Sequence, residues 1–205
     1  MTAELGTVPT QALTVLRVLT NLEDREAGFE RLDRTIGRDP ELAQRLLALA
    51  SSADLSVGRP VEAVREALLL LGVSRVRRWA VLEVMRRAAG TRGEVIRRGL
   101  TRARACELVG GDVSPPERED LYLAGLLSIC DELLGVPLPT LAASMPFSAR
   151  VLPALLDGQG ETGLALSRVL DHERTDVEGD PRVAAAWLQA AAWVAGTDSG
   201  SGLTR

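Results

Sequence analysis

The residue pattern of this chain predicts an all-α fold of roughly ten helices joined by short loops. Apolar residues recur every three or four positions along nearly the whole 205-residue sequence, which is typical of amphipathic helices. No segment alternates apolar and polar residues as a half-buried strand does, and no repeat of fixed period is present. With 46% hydrophobic and 25% charged residues, a chain of this length can bury a sizeable core, which excludes disorder for most of it.

Proline, glycine and small polar residues predict where the helices begin and end. Asp39 before Pro40 predicts an N-cap followed by proline at the first helical position, and Ser114 with Glu117 predicts a second capped start. Gly72 is expected to end a helix. The predicted helices are, in order, one after Pro9, then about 29–36, 40–53, 60–72, 74–89 with Ser74 as its cap, 94–109, 115–134, 138–143, 148–156, 162–174, and a last alanine-rich helix from Pro181.

These helices are expected to form one domain. We assign residues 8–195 to it, residues 1–7 to an N-terminal extension, and residues 196–205 to a flexible C-terminal tail rich in Gly, Ser and Thr. Charges interrupt every apolar run well before the about 18 apolar positions that a membrane span needs, so no membrane contact is expected. Cys106 and Cys130 lie in separate helical segments, which indicates reduced thiols and predicts a cytoplasmic location.

The counts of histidine and lysine exclude several kinds of active site. His172 is the only histidine, and all 24 basic residues are arginine because the chain contains no lysine. A Schiff-base lysine, a phosphate-loop lysine and a metal site built from several histidines are therefore excluded. No cofactor is expected, and no residue is assigned a catalytic role.

Three further features have a structural interpretation that we prefer to a chemical one. His172 falls on the polar side of its helix and is expected to be exposed and without a role. Residues 158–163 match the G-x-G-x-x-G spacing of dinucleotide sites, but they follow a helix rather than a strand. Gly158 is therefore interpreted as a helix C-cap and Thr162 as the next N-cap. The acidic residues that could pair for acid–base chemistry are expected on solvated faces: Asp33, Asp39, Asp131 and Glu132.

An arginine segment, residues 75–104, calls for a functional interpretation. Ten arginines and two glutamates give it a net charge of +8 within a chain of net charge −4. Arginine beside tryptophan is typical of protein–protein contacts, whereas arginine alone also attracts nucleic-acid phosphates. Pairing with the acidic remainder of the domain is the structural alternative. One face of the helix that starts near Ser74 is expected to present the contact residues Arg75, Arg78, Trp79, Leu82 and Arg86.

Two blocks in the first half of the chain resemble the opening signature of HDOD domains. Residues 36–42 read IGRDPEL and residues 45–53 read RLLALASSA, where that family has I-x-x-D-P-x-L and R-L-L-x-L-x-N-S-A. Residues 67–72 (ALLLLG) resemble the helix that follows in the family. Later stretches similar to the HDOD half of EAL–HDOD signalling proteins are residues 77–79, 102–108 and 123–128. The resemblance covers about residues 8–195, and Ser51 departs from it because the family has asparagine there.

The resemblance implies a non-catalytic bacterial signalling or regulatory domain. HDOD domains are related to HD-type phosphohydrolases and share their helical fold but lack the metal ligands. An HD enzyme would have His-Asp after the Gly-Leu-Leu of residues 125–127, whereas this chain has Ser128 and Ile129. Serine and isoleucine cannot replace a histidine and a bridging carboxylate, so a metal-dependent phosphohydrolase is excluded. Both a stand-alone HDOD protein and the C-terminal part of a longer EAL–HDOD protein fit the resemblance.

The partner expected from this resemblance is another signalling protein, either of the EAL or GGDEF type or from a kinase pathway, with cyclic di-GMP as the linked messenger. The alternative function is a nucleic-acid-binding regulator that uses the arginine segment. The acidic overall charge and the 3% aromatic content argue against that alternative, because stacking on bases needs aromatic side chains. The last helix, which carries Trp187 and Trp193, could instead serve self-association, so a homodimer is an alternative.

Overall fold

The computed structural model describes residues 25–52, 60–144, 147–175 and 180–197, and within these ranges it contains helices and no strand. The all-α prediction is therefore confirmed. The predicted helix after Pro9 and residues 198–205 of the predicted tail lie outside the described residues. The helices are α1 (Arg25–Gly37), α2 (Pro40–Ser52), α3 (Val64–Leu71), α4 (Val73–Ala89), α5 (Gly93–Gly110), α6 (Pro115–Leu127), α7 (Cys130–Leu134), α8 (Leu138–Ser144), α9 (Val151–Asp157), α10 (Gly160–Thr175) and α11 (Pro181–Thr197).

Some predicted helix boundaries are wrong. Pro60 does not open a helix, because residues 60–63 are non-helical and α3 begins only at Val64. The helix predicted over 115–134 is two helices, since Ser128 and Ile129 form a turn between α6 and α7. The second difference arises because the apolar spacing continues through the turn, so that periodicity alone does not reveal the break.

Gly72 is the corner between α3 and α4. Its N–H donates to the Leu68 carbonyl at 2.9 Å and thereby closes α3, while its own carbonyl accepts the first hydrogen bond of α4 from Val76 at 3.1 Å. The φ angle of 85° lies in a region that residues with a side chain rarely adopt. Ser74, the predicted cap, therefore lies inside the first turn of α4, and Gly72 stands at the N-cap without a side-chain hydrogen bond.

The core is organised around α5 and α6, which pack along each other through the middle of the domain. α10 and α11 pack against α5, and α9 and α10 pack against α6. α1, α2 and α3 pack together and reach the rest of the molecule through α4, which contacts α5 and α7. Buried apolar residues from all these helices form one connected core. None of the helices in the described ranges is both long and apolar enough to cross a bilayer.

α5 and α6 lie in close backbone contact at Gly125. A Cβ at this position would lie 2.5 Å from Ala103 Cα, 2.6 Å from Ala103 N and 2.7 Å from the Arg102 carbonyl carbon. These neighbours are backbone atoms, which cannot move aside as the end of a side chain can. Glycine is thus required for α6 to lie this close to α5.

Cys106 and Cys130 are free, buried thiols within this core. Burial raises the pKa of each thiol to about 12. Neither thiol is therefore activated as a nucleophile at neutral pH, because the reactive thiolate is disfavoured.

The start of α2 confirms the predicted N-cap. The Leu42 N–H donates to Asp39 Oδ1 at 3.0 Å, and Arg87 Nη1 on α4 donates to Asp39 Oδ2 at 2.6 Å. Burial raises the pKa of the Asp39 carboxyl, but the hydrogen bonds from Arg87 and Leu42 outweigh it and hold that pKa below its ordinary value of 3.8. Asp39 thus caps α2 and ties it to α4.

Asp39→Asn is expected to reduce the loss of stability in acid. Because the pKa of the Asp39 carboxyl is lower in the folded than in the unfolded protein, its ionised form stabilises the fold. This stabilisation is fully present above the unfolded pKa and is lost as the pH falls through the folded pKa. Urea unfolding from neutral pH down to about pH 3 should give a shallower dependence of the free energy of unfolding on pH in Asp39→Asn than in the wild type. Asp112→Asn, which removes an exposed carboxylate, is the control. A pH dependence unchanged in Asp39→Asn would contradict this account.

Candidate functional site

The arginine segment lies on α4 and α5, and most of its guanidinium groups are paired with carboxylates. Eight of its ten arginines have an N···O distance within 4.0 Å of a glutamate or aspartate. The pairs are Arg77–Glu119, Arg78–Glu107, Arg86–Glu83, Arg87–Asp39, Arg97–Glu94, Arg98–Glu132, Arg102–Glu173 and Arg104–Glu107. Much of the local charge of +8 is therefore neutralised inside the folded domain.

The predicted contact face is corrected at Trp79 and Leu82. Trp79 is 4% exposed and Leu82 is fully buried, so neither side chain can reach a partner in this structure. The reason is that several helices, among them α1, α3, α5 and α7, pack against α4, and residues 79–85 in the middle of α4 are all buried. Arg75 and Arg86 keep accessible positions near the two ends of the helix, about 16 Å apart at the rise of an α-helix. They do not form one continuous surface.

Arg78 belongs to a half-buried cluster that joins four helices. Its Nη1 donates to Glu107 Oε1 at 2.6 Å, and Arg104 Nη1 donates to Glu107 Oε2 at 3.0 Å. The Arg78 guanidinium also lies 4.4 Å from the centre of the Tyr122 ring, and that of Arg104 lies 6.0 Å from the centre of the Trp193 ring. Burial raises the pKa of Tyr122 to about 12. These contacts connect α4, α5, α6 and α11, so Arg78 stabilises the fold.

The turn between α6 and α7 contains Ser128 and Ile129, which the family resemblance aligns with the His-Asp pair of an HD enzyme. The Ser128 hydroxyl donates to the Gly125 carbonyl at 2.7 Å and accepts from Arg102 Nη1 at 3.0 Å. Arg102 Nε donates in turn to Glu173 Oε2 on α10 at 2.7 Å. Ile129 is fully buried and packs against Gly99, where a Cβ would lie 2.6 Å from Ile129 Cδ1.

This arrangement opposes metal binding at the turn. The positive Arg102 guanidinium occupies the space beside Ser128, where a metal ion would need anionic or imidazole ligands. Its carboxylate partner Glu173 is already neutralised by Arg102 and Arg98. Among the residues that the structure describes, no three His, Cys, Asp or Glu side chains are grouped so as to hold a metal ion.

The interpretations of His172 and residues 158–163 need partial correction. His172 is half-buried rather than exposed, because its ring packs edge-on against Trp187 with 6.0 Å between ring centroids. Gly158 is the C-cap of α9, as predicted, and the segment joins two helices. Thr162 is not an N-cap, since α10 already begins at Gly160. The solvated position predicted for Asp131 is confirmed.

A cleft of about 900 Å³ opens between the α3–α4 corner and the start of α6, and no sequence pattern indicated it. Two ion pairs lie in its wall: Arg77 Nη1 is 3.2 Å from Glu119 Oε1, and Arg150 Nε is 2.7 Å from Asp120 Oδ2. Burial lowers the pKa of Arg77 although Glu119 opposes this, and burial raises the pKa of Asp120 although Arg150 opposes it. The walls come from segments separated by tens of residues, which explains why no local motif predicts the cleft.

Comparisons with known proteins agree on the kind of domain. The family model described as HDOD domain matches residues 8–137. The uncharacterized protein YuxH of Bacillus subtilis (strain 168) is 26% identical over 148 residues, which are 70% of this chain and 36% of that protein. The cyclic di-GMP phosphodiesterase CdgJ of Vibrio cholerae (El Tor Inaba N16961) is 26% identical over 156 residues, which are 75% of this chain and 36% of that protein. The chain thus spans about a third of these relatives' length, and no solved structure gives a significant match.

Proposed function

Because this chain belongs to the HDOD domain family, we propose that it is a non-catalytic regulatory domain of bacterial signal transduction that acts by binding another protein. Both curated relatives are much longer than the segment they share with it, as expected for a domain that works together with others. One of them is named a cyclic di-GMP phosphodiesterase. On this basis we assign the domain to signalling linked to cyclic di-GMP.

The observation that carries the non-catalytic assignment is the position of Arg102. Its guanidinium lies 3.0 Å from Ser128 Oγ, at the turn where an HD-type phosphohydrolase would hold its metal ion. A divalent cation there would meet the repulsion of a fixed positive charge and would find no histidine or free carboxylate as a ligand. This supports a domain that regulates through contact rather than through hydrolysis.

The ion pairs of the arginine segment support protein contact over nucleic-acid binding. Phosphates would have to compete with carboxylates that already pair with eight of the ten arginines, in a chain of net charge −4. Of the predicted contact residues, Arg86 has an exposed guanidinium, and we propose it as part of the partner surface. Arg75 lies instead in the wall of the cleft.

One experiment with two readouts tests this proposal. Purified protein is incubated with cyclic di-GMP and Mg²⁺ or Mn²⁺, and no hydrolysis is expected. The same protein, tagged, is used to capture partners from native cytosol, in halves with and without nuclease. Arg86→Ala is expected to reduce the captured signalling protein at least about fivefold. The matched control is Arg97→Ala, since Arg97, like Arg86, pairs with the glutamate three residues before it.

Each readout can overturn its part of the proposal. Cyclic di-GMP hydrolysis that follows the protein through purification and is lost when the divalent ion is chelated would show a catalytic domain. Loss of all captured material after nuclease treatment would favour the nucleic-acid alternative, particularly if binding to nucleic acid falls steeply with salt. Equal capture by Arg86→Ala and the wild type would remove Arg86 from the partner surface.

A further inference from the structure

We propose that the cleft beside the α3–α4 corner is a binding site for a small organic oxyanion, that is, a carboxylate or phosphate group attached to an apolar ring. The volume of about 900 Å³ falls in the range of small-molecule sites, which is about 300–1,000 Å³. The cleft lies at the opposite end of α4 from Arg86, so this proposal is independent of the partner surface proposed above.

The charges in the wall are fixed before any ligand arrives. Arg77 and Glu119 have side chains only 9% exposed, and each is held by the other. Asp120 has the same low exposure and is paired with Arg150. Buried ionisable groups are costly, and their collection in one cleft is typical of a binding or catalytic site. Each pair combines one positive and one negative charge, so the two pairs form a polar wall without a net charge.

Arg75 adds a positive charge to this neutral wall. It lines the same cleft and is half-buried, and among the described residues it makes no ion pair. A guanidinium presents parallel N–H donors that match the two oxygens of a carboxylate or phosphate. Arg75 therefore indicates an anionic group in the ligand.

The other residues that line the cleft are mostly apolar or small, which indicates that the rest of the ligand is apolar. Side chains of Leu71, Val73, Pro115, Pro116 and Ala149 line the cleft, and the two prolines have no N–H to donate. Small-molecule sites typically combine such apolar surface with a few polar groups that orient the ligand. A ligand of this kind would pack its apolar ring against these residues and place its oxyanion at Arg75.

The test is an NMR titration of the full chain with four probes. Phenyl phosphate and benzoate carry a ring and an oxyanion, whereas inorganic phosphate has no ring and benzyl alcohol has no charge. At least one of the first two is expected to shift the amide resonances of Val73, Ser74 and Arg75 saturably, with a Kd of about 1 mM for a probe of this size. The two control probes should bind at least about tenfold more weakly.

The variants distinguish the cleft from a general surface effect. Arg75→Ala is expected to weaken binding of the ring oxyanion at least about fivefold, because it removes a charge-assisted contact. Arg182→Ala, which removes an exposed arginine at the start of α11, should leave binding unchanged. Arg75→Gln provides a second variant, which keeps a polar side chain but removes the charge, and circular dichroism verifies that each variant is folded.

The outcomes are decisive for the proposal. Binding of phenyl phosphate alone identifies a phosphate ligand, binding of benzoate alone identifies a carboxylate ligand, and either supports the site. The site is absent if neither probe gives a saturable shift at about 20 mM, well above the expected Kd. The proposal is also wrong if Arg75→Ala and Arg75→Gln bind as tightly as the wild type, or if benzyl alcohol binds as tightly as the oxyanions. These failures would leave the partner surface at Arg86 unaffected.

Discussion

Gly125→Ala is expected to lower the free energy of unfolding by about 3 kcal/mol, the upper end of the usual cost of overpacking. The added methyl group would lie 2.5 Å from Ala103 Cα and 2.7 Å from the Arg102 carbonyl carbon, so α5 and α6 would have to separate. Because α5 and α6 form the centre of the core, their separation disturbs α10 and α11 as well. Urea unfolding followed by circular dichroism measures this loss. The expected loss is a large fraction of the total free energy of unfolding of a typical domain, which is about 5–15 kcal/mol.

Gly196→Ala is the matched control for this variant. Gly196 lies in α11, and a Cβ there would meet nothing within 4 Å. Alanine favours helix more than glycine does, so this change is expected to leave stability unchanged or to raise it by up to about 1 kcal/mol. Similar, small effects at both positions would mean that α5 and α6 are not in backbone contact at Gly125.

Leu82→Ala is expected to destabilise the protein by about 2–5 kcal/mol. Leu82 is fully buried in the middle of α4, and its truncation leaves a cavity among helices that can collapse only in part. The measurement is the urea midpoint and slope of the purified variant. This variant also tests the corrected position of Leu82, since a leucine on an exposed contact face would lose little stability on truncation.

Leu69→Ala supplies the comparison for an exposed leucine. Leu69 lies on the neighbouring helix α3 and is 73% exposed, so its truncation should change the free energy of unfolding by no more than about 0.5 kcal/mol. If Leu82→Ala were as mild as Leu69→Ala, the packing of α4 described above would be wrong and Leu82 would return to the partner surface.

Features set by neighbouring residues were predictable from the sequence. The cap at Asp39 and the paired hydrogen bonds of Ser114 and Glu117 depend on residues three positions apart, so the pattern contains all that is needed. The same holds for the C-cap at Gly158. The glycine in the Leu-Gly pair at the end of α3, which is part of the family resemblance, also has a local explanation. Gly72 has a φ angle of 85°, which residues with a side chain rarely adopt.

The site residues could not be predicted because their surroundings are not local. Whether Leu82 faces solvent depends on the helices that cover α4, and none of them is specified by the periodicity of α4 itself. The contact that fills the turn at Ser128 joins Arg102 to Glu173, which is 71 positions away. The cleft likewise combines Arg77, Glu119 and Arg150 from three separate parts of the chain. The net charge of the arginine segment indicated that its arginines would pair with carboxylates, but it did not indicate which carboxylates.

The order of the paired charges along the chain has a consequence for synthesis. Among the described residues, four of the eight acidic partners of the arginine segment lie C-terminal to the whole segment: Glu107, Glu119, Glu132 and Glu173. During translation the segment therefore leaves the ribosome before these four counterions, with a local charge of +8 open to surrounding RNA. Folding brings these four carboxylates to their arginines, so we expect affinity for polyanions to be higher in the nascent or unfolded polypeptide than in the folded domain.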